Sequence, residues 1–580
     1  MTTRDRRPAR IRSVLAALLS AAALALSLTA VPPAAAAVAE HDSMAGPLTP
    51  TPEEEYTQYQ LKIDRTTDYD NYGHSIRGVE QSGAVTTNGV LGVALSGQHT
   101  GRALCHTTGI NGTFLYNGFC WDQGDDTSDG GWTPQGLTAS HDADPSGTVA
   151  GHRLYVASWH YDDNQFARIS IVDSTGSQWT YGHVLLVEPT GDQNGDTHSA
   201  NFVPVTATHA DGALWYGNKL FIANGNELQV YDFQHIWKMG KSSDYVGIKD
   251  GVSSARYHQW ALPMVGKYRI APGEGGPGYC PAPHLKGRTC LSSLSLDRSG
   301  GTDHLVSGEY YQDKHGPVAH LARWPLNPAT DLPKADNGDT VGTTTADGGF
   351  AAPVQQLQGV ATDGTSYYLA AECPKGYMGE DDPANSYSCI YRAAPGEIGK
   401  VLTRTPKYTQ NLSYDPTVGR LWGLNEVSGD RSVFSLVPRA ADDSVYLSNA
   451  YSALCAGVGS KTGNGARVIQ WGCNKSRDER WVFENTTDAN GNRAYRVRDE
   501  YSGKCMGVAS HLDDGAGVIQ YTCRNTAVDE KWWYDASAKT LRNVYSGKCL
   551  GLGATATKGT QLIQYRCNGK PDEGWQQIPR

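Results

Sequence analysis

Short apolar strands separated by Gly, Asn and Asp turns run through the chain, and a loose unit recurs between residues 40 and 437. The unit is a short Gln-Gly or His-Ala-Asp-Gly segment or a variant of it, a turn, and then an aliphatic or aromatic strand. Pro134-Gln-Gly-Leu-Thr precedes Leu154-Tyr-Val-Ala-Ser, and His209-Ala-Asp-Gly precedes Leu220-Phe-Ile-Ala-Asn. Leu357-Gln-Gly-Val-Ala precedes Tyr367-Tyr-Leu-Ala-Ala, and Gln410-Asn-Leu-Ser-Tyr precedes Leu421-Trp-Gly-Leu-Asn. Looser copies begin near Arg77 and Leu291. Only the segment around Phe233 to Lys241 reads as a short helix.

Unit starts near 77, 135, 210, 291, 357 and 410 step by about 50 to 80 residues, the size of a four-stranded blade with loop insertions. A radial array of such blades is a β-propeller; six blades are favoured, five are the alternative, and a β-sandwich or parallel β-helix is the competing architecture. The last unit is short, and Tyr56 to Asp64 is expected to supply its missing strand and lock the ring.

The remaining chain repeats more strictly. Tyr451-Ser-Ala-Leu-Cys-Ala-Gly-Val, Tyr501-Ser-Gly-Lys-Cys-Met-Gly-Val and Tyr545-Ser-Gly-Lys-Cys-Leu-Gly-Leu are three versions of one segment. Val468-Ile-Gln-Trp-Gly-Cys, Val518-Ile-Gln-Tyr-Thr-Cys and Leu562-Ile-Gln-Tyr-Arg-Cys are a second set, and Asp-Glu-x-Trp closes each copy at Trp481, Trp532 and Trp575. None of these units can bury a core alone, but three can close a small barrel around the tryptophans, a β-trefoil. The chain therefore reads as all-β: a signal peptide over 1–39, a propeller-like domain over 40–437, a linker over 438–445 and a trefoil over 446–580.

The signal rests on Arg4, Arg6, Arg7, Arg10 and Arg12, an apolar stretch from Val14 to Val31, and small residues suited to cleavage near Ala36 to Ala39. The twelve cysteines fall in sequence-local pairs: Cys105/Cys120, Cys280/Cys290, Cys373/Cys389, Cys455/Cys473, Cys505/Cys523 and Cys549/Cys567. With an export signal, that spacing reads as six disulfides rather than zinc sites, and points to a secreted, extracellular protein. A net charge of −10 argues against nucleic acid and anionic membranes as partners. No further apolar run suggests membrane insertion, and a monomer is expected.

The three C-terminal repeats resemble the ricin-type lectin family. The resemblance implies one shallow sugar pocket per repeat. An aromatic two residues before the second cysteine would stack on the sugar; it is Trp471, Tyr521 or Tyr565 here. The residue opening the final motif would add a polar contact, and Asp478, Asp529 and Asp572 stand there in place of the family's Asn. The family's Asp two residues after the first cysteine is replaced by Gly457, Gly507 and Gly551, and its polar residue four before the second cysteine by Ile469, Ile519 and Ile563. The expected partner is a polysaccharide or cell-surface glycan, with the propeller as a second recognition surface.

The propeller region carries no familiar catalytic signature. Its candidate acids are Glu309, Glu372 and Glu426, which end strands in three units and would converge at one mouth of a central channel, as a glycan-cleaving pair requires. Histidines such as His141, His160, His198, His209, His304 and His320 are scattered without metal-ligand spacing, and no metal centre or organic cofactor is expected. Two acidic stretches, Asp122 to Asp129 and Asp192 to Asp196, are the only candidates for a structural calcium. The Cys373–Cys389 insertion, with Glu380-Asp-Asp, is a candidate ligand-contact loop.

Overall fold

The computed structural model describes residues 42–580 except 111–113, 128–129, 163, 192–198, 271–289, 311–317, 376, 378–386, 439–443, 491, 525–526 and 580. The expected signal segment, Cys280, His198, the second acidic stretch, Glu380-Asp-Asp and most of the expected linker lie outside the described residues. Strands dominate, and no helix among the described residues is long and apolar enough to cross a membrane.

Five four-stranded antiparallel blades dominate the region before residue 437; outer strands extend them, and a parallel pairing of Thr180–Thr190 with Trp260–Arg269 joins two of them. Blade 1 is Trp132–Ala139, Leu154–Tyr161, Ala167–Asp173 and Thr180–Thr190; blade 2 is Gly212–Tyr216, Lys219–Asn224, Glu227–Asp232 and Trp260–Arg269. Blade 3 is Ser293–Asp297, His304–Gly308, Ala319–Asn327 and Gly348–Ala352; blade 4 is Gly359–Thr362, Tyr367–Glu372, Ser388–Ala393 and Ile398–Thr405. Blade 5 takes Thr409–Asp415, Arg420–Asn425 and Ser432–Leu436, then borrows Asn117–Cys120 as its fourth strand. The first strands of the blades adjoin one another in cyclic order, so the blade number is five, the smaller of the two expected. Strands such as Gly212–Tyr216 are buried throughout because both faces meet a neighbouring blade, which is why they read as apolar runs.

The recurring Gln-Gly and Asp-Gly segments are explained by the tightness of this ring. A side chain at Gly136 would lie 2.6 Å from the Ala213 nitrogen, one at Gly212 2.5 Å from the Leu294 nitrogen, and one at Gly359 2.6 Å from the Gln410 carbonyl oxygen. Only glycine lets the first strands approach so closely. In blade 5 the equivalent residue is Asn411, fully buried. Its amide donates to the Leu137 carbonyl at 2.6 Å and accepts from the Leu294 N–H at 2.8 Å, joining blades 1, 3 and 5 at the axis.

Three sequence expectations are corrected. The unit expected near Arg77 is a helix, Asn71–Gln81, which buries Tyr72, Ile76 and Val79 at helical spacing rather than forming a blade. Tyr56 to Asp64 does not close the ring: Glu53–Gln58 is a 3-10 helix and Gln60–Leu61 pairs with Thr344–Thr345. The expected helix near Phe233 is a single turn, Phe233–His235, capped by Asp232, and Ile236–Lys238 continues as a strand. Upstream, Ser43–Pro47 and Thr49–Pro50 add outer strands to blades 4 and 3.

The C-terminal region forms a three-unit barrel. Trp481, Trp532 and Trp575 are fully buried in one cluster, and each indole N–H donates to a carbonyl of its own unit (Ala456, Met506 and Leu550) at 2.9, 2.9 and 3.0 Å. Disulfides join Cys105 to Cys120, Cys373 to Cys389, Cys455 to Cys473, Cys505 to Cys523 and Cys549 to Cys567, and no described cysteine is free. Each closes a short loop, a constraint of roughly 3 kcal/mol on the unfolded chain.

Candidate functional site

The residue preceding each tight glycine of the ring is polar, and two of them, Gln135 and Asp211, belong to a charged cluster around Glu426. Glu426 follows the second strand of blade 5 and accepts from the Gln135 amide at 2.5 Å. Burial raises its carboxyl above the usual range, against the pull of Gln135, His209 and Arg431. The His209 ring lies 2.8 Å from Asp211 and stacks on His160 at 4.2 Å. Burial lowers the His209 imidazolium, but Asp211, with Glu426, outweighs it and leaves the group raised; burial and the neighbouring His209 depress His160. In the sequence Gln135 and Asp211 mark only unit starts, although their place beside the glycine is the signal that could have found them.

The three candidate acids separate. Burial, Glu426 and Glu372 together raise the Tyr310 phenol, so both carboxylates act on the same ring, and Glu372 is exposed. Glu309 instead is buried in blade 3, where it accepts the backbone N–H groups of Cys290 and His320 at 3.3 and 3.2 Å and lies 2.8 Å from the His320 ring. Its lone pairs are used within blade 3. A row of Ser413, His141 and Asp415, with separations of 2.7 and 3.5 Å, looks like a nucleophile and its base. All three are sealed from solvent, and the Ser413 hydroxyl donates to Asp142 at 2.8 Å, so the row holds blades 1 and 5 together and is closed to a substrate.

A second cluster lies beside blade 1, next to a cleft of about 530 Å³. Asp125 accepts from Arg168 at 2.6 Å and from the Tyr181 hydroxyl at 2.7 Å, with the His183 ring at 3.0 Å. His99 lies 2.5 Å from Asp122, and Asp126 takes Arg102 at 2.5 Å and the Arg431 N–H at 2.9 Å. The acidic stretch expected as a calcium candidate is thus folded against cations, as far as its described residues run. His99, Asp125 and His183 bring ligating atoms together, but the Arg168 guanidinium already occupies the carboxylate and would repel a dication.

In the C-terminal barrel the three candidate rings are half-exposed: Trp471 46%, Tyr521 41% and Tyr565 45%. Each sits at a seam between units. Thr522, next to Tyr521, donates its N–H and hydroxyl to Asn464 of the preceding unit at 2.9 and 3.0 Å, and the Arg566 N–H, next to Tyr565, donates to Asp514 at 3.1 Å. Gln470, Gln520 and Gln564, unassigned in the sequence, stitch the same seams by donating to Thr555, Lys461 and His511 carbonyls at 2.7, 2.7 and 2.8 Å.

The candidate aspartates behave differently. Asp529 and Asp572 are buried and Asp478 is half-buried, and the carboxylates of Asp478, Asp529 and Asp572 accept the N–H groups of Ser460, Ser510 and Ala554 at 2.8, 2.9 and 3.1 Å. Those three residues have φ of 56°, 58° and 57°, so each carboxylate caps a left-handed turn. The glycines facing this turn have unequal room. A side chain would meet the Asp478 carbonyl oxygen at 2.9 Å from Gly457 and the Asp529 carbonyl oxygen at 3.3 Å from Gly507, whereas nothing lies closer than 3.5 Å to one on Gly551. Gly457→Asp is expected to cost about 1–3 kcal/mol in thermal unfolding, and Gly551→Asp less than 1 kcal/mol, within the ordinary surface range.

These rings and turns belong to a recognised domain. Residues 443–575 form a ricin-type beta-trefoil lectin domain. Among solved structures, this lectin domain is similar to the designed 3-fold symmetric protein ThreeFoil, at 27% identity over 24% of this chain and 99% of that one, with a TM-score of 0.22. The C-half of an earthworm R-type lectin in complex with GalNAc matches at 12% identity over 24% and 99%, with a TM-score of 0.20. An exo-beta-1,3-galactanase from Clostridium thermocellum matches at 14% identity over 77% of this chain and 82% of that one, with a TM-score of 0.23. No curated protein matches the chain.

Proposed function

We propose that the protein is a secreted glycan-binding protein whose lectin domain holds a polysaccharide or cell-surface glycan while the propeller offers a second recognition surface. One observation carries this reading: a half-exposed aromatic ring recurs at each of the three seams of the lectin domain. An exposed ring presents a flat apolar face to the C–H face of a sugar, and three of them on one body multiply a weak contact by avidity. The three aspartates are committed to their turns, so stacking supplies the recognition and the sites are individually weak. The disulfides suit an oxidising extracellular setting.

The test is retention of the full chain on immobilised polysaccharides, beside a Trp471→Ala/Tyr521→Ala/Tyr565→Ala variant checked for unchanged folding. Loss of retention by about tenfold or more in the variant is expected. Equal retention of both proteins would refute the assignment.

A second reading is favoured by the carboxylates. Glu426, half-buried and raised, is suited to donate a proton, and Glu372 acts on the same tyrosine from an exposed position. That is the division of labour a glycoside hydrolase needs. Sugar released from the retained polysaccharide, and abolished in Glu426→Gln, would make the protein an enzyme anchored by its lectin domain.

A further inference from the structure

The cleft beside blade 1 holds a cation without a counter-charge. Arg256 lies over the rings of Tyr161 and Phe166, 4.3 and 3.8 Å from their centroids, and one of its terminal nitrogens is buried without a hydrogen-bond acceptor. Among the described residues no carboxylate pairs with it, in a chain whose net charge is −10. Its neighbour in the cleft, Arg168, is neutralised by Asp125. A guanidinium at a cleft wall with no carboxylate beside it, held only over two rings, is suited to take an anion from the cleft.

The backbone supports the same reading. Arg256 and Tyr257 are consecutive non-glycine residues at φ of 44° and 66°, a strained pair held by N–H bonds to the Tyr245 and Ser243 carbonyls at 3.0 and 2.7 Å. Strain of this kind persists where a ligand site requires it. It pushes the Tyr257 ring out to 68% exposure at the cleft rim, with Trp132 and Tyr161 lining the wall. His258, depressed to about 3 by burial and by Arg168 and His183, is neutral at pH 7. Its Nδ1 donates to backbone carbonyls, which leaves its other nitrogen an acceptor.

We propose that this cleft binds an acidic sugar, the Arg256 guanidinium taking its anionic group and Tyr257 with Trp132 flanking its ring. The anion is a carboxylate or a sulfate, both of which fit a forked guanidinium. The proposal rests on the propeller being a glycan-recognition surface and gives that surface its ligand class.

The experiment is calorimetric titration of the full chain with three trisaccharides of one backbone, ending in glucuronic acid, a 6-sulfated hexose or the neutral hexose. Binding of at least one acidic ligand about tenfold tighter than the neutral one is expected, weakening with salt. Which acid wins identifies the anion. Arg256→Gln should erase the preference, and Arg256→Lys should keep part of it. Tyr257→Ala, on an exposed ring, should weaken all acidic binding without altering the melting temperature. Equal affinity for all three sugars, or a preference that survives Arg256→Gln, would overturn the proposal. Retention through Trp471, Tyr521 and Tyr565 is measured separately on neutral polysaccharide, so failure here leaves that result standing.

Discussion

Trp532→Ala is expected to remove about 3–5 kcal/mol from the lectin domain, most of the stability of a domain this size. The indole is fully buried against Trp481 and Trp575, and its N–H satisfies the Met506 carbonyl at 2.9 Å. Truncation opens a cavity where three units meet, and the neighbouring units are held at their seams by Gln470, Gln520 and Gln564, so they cannot collapse into it. Trp532→Phe fills most of that volume and leaves the carbonyl unbonded, so its cost should be about 1–3 kcal/mol. Scanning calorimetry should rank wild type above Phe above Ala, while all three intra-unit disulfides persist. An Ala variant as stable as the Phe variant would mean that the core relaxes freely.

The second large effect is in the propeller. Asp125→Ala is expected to cost about 3–5 kcal/mol at pH 7, because it strands the buried Arg168 guanidinium between the rings of Trp132 and Trp159. The same network predicts the acid response. Burial alone would raise the Asp125 carboxyl, but His183 and Arg168 hold it well below the usual carboxylate range. Burial and Arg168 push His183 down to about 4. A histidine with a depressed folded value is neutral in the fold and protonated once unfolded. Between pH 6.5 and about 4 the unfolded chain therefore takes up the proton, and stability falls by about 3 kcal/mol on this account. His258 adds in the same direction. The Asp125 contribution is intact above its unfolded value near 4 and is lost only below it. Urea unfolding at pH 7 and 4.5 should show the loss, and His183→Gln should flatten it by roughly half, with His258 supplying the rest.

Much of this architecture was legible because each unit carries its own signal. Five of the six expected unit starts fall within three residues of a blade's first strand, since Gly136, Gly212 and Gly359, with Ser293 and Asn411 in the other two blades, stand where the ring narrows. The sixth, near Arg77, is a helix because Tyr72, Ile76 and Val79 recur at helical spacing. The closing strand was misplaced for a different reason. Gly118 passes so close to blade 5 that a side chain would lie 2.0 Å from the Val433 carbonyl oxygen, and that fit exists only between segments three hundred residues apart. In the lectin domain the exposed rings were readable from the repeat. The commitment of Asp478, Asp529 and Asp572 to turns was not, because it depends on the left-handed backbone at Ser460, Ser510 and Ala554. Arg256 offered no motif; its isolation comes from which residues fold around it.

The borrowed strand of blade 5 also sets a timetable. Asn117–Cys120 is synthesised before any blade, yet its partner Ser432–Leu436 is made after all of them; Ser43–Pro47 likewise waits for Ile398–Thr405. Until then both are bare edges, open to pairing with another chain. The ring is completed only when its first and last segments meet, a contact of long sequence separation that forms late. The N-terminal segments, first to emerge, are last to settle, and a chain that is not yet closed remains loose enough to be threaded elsewhere before it folds.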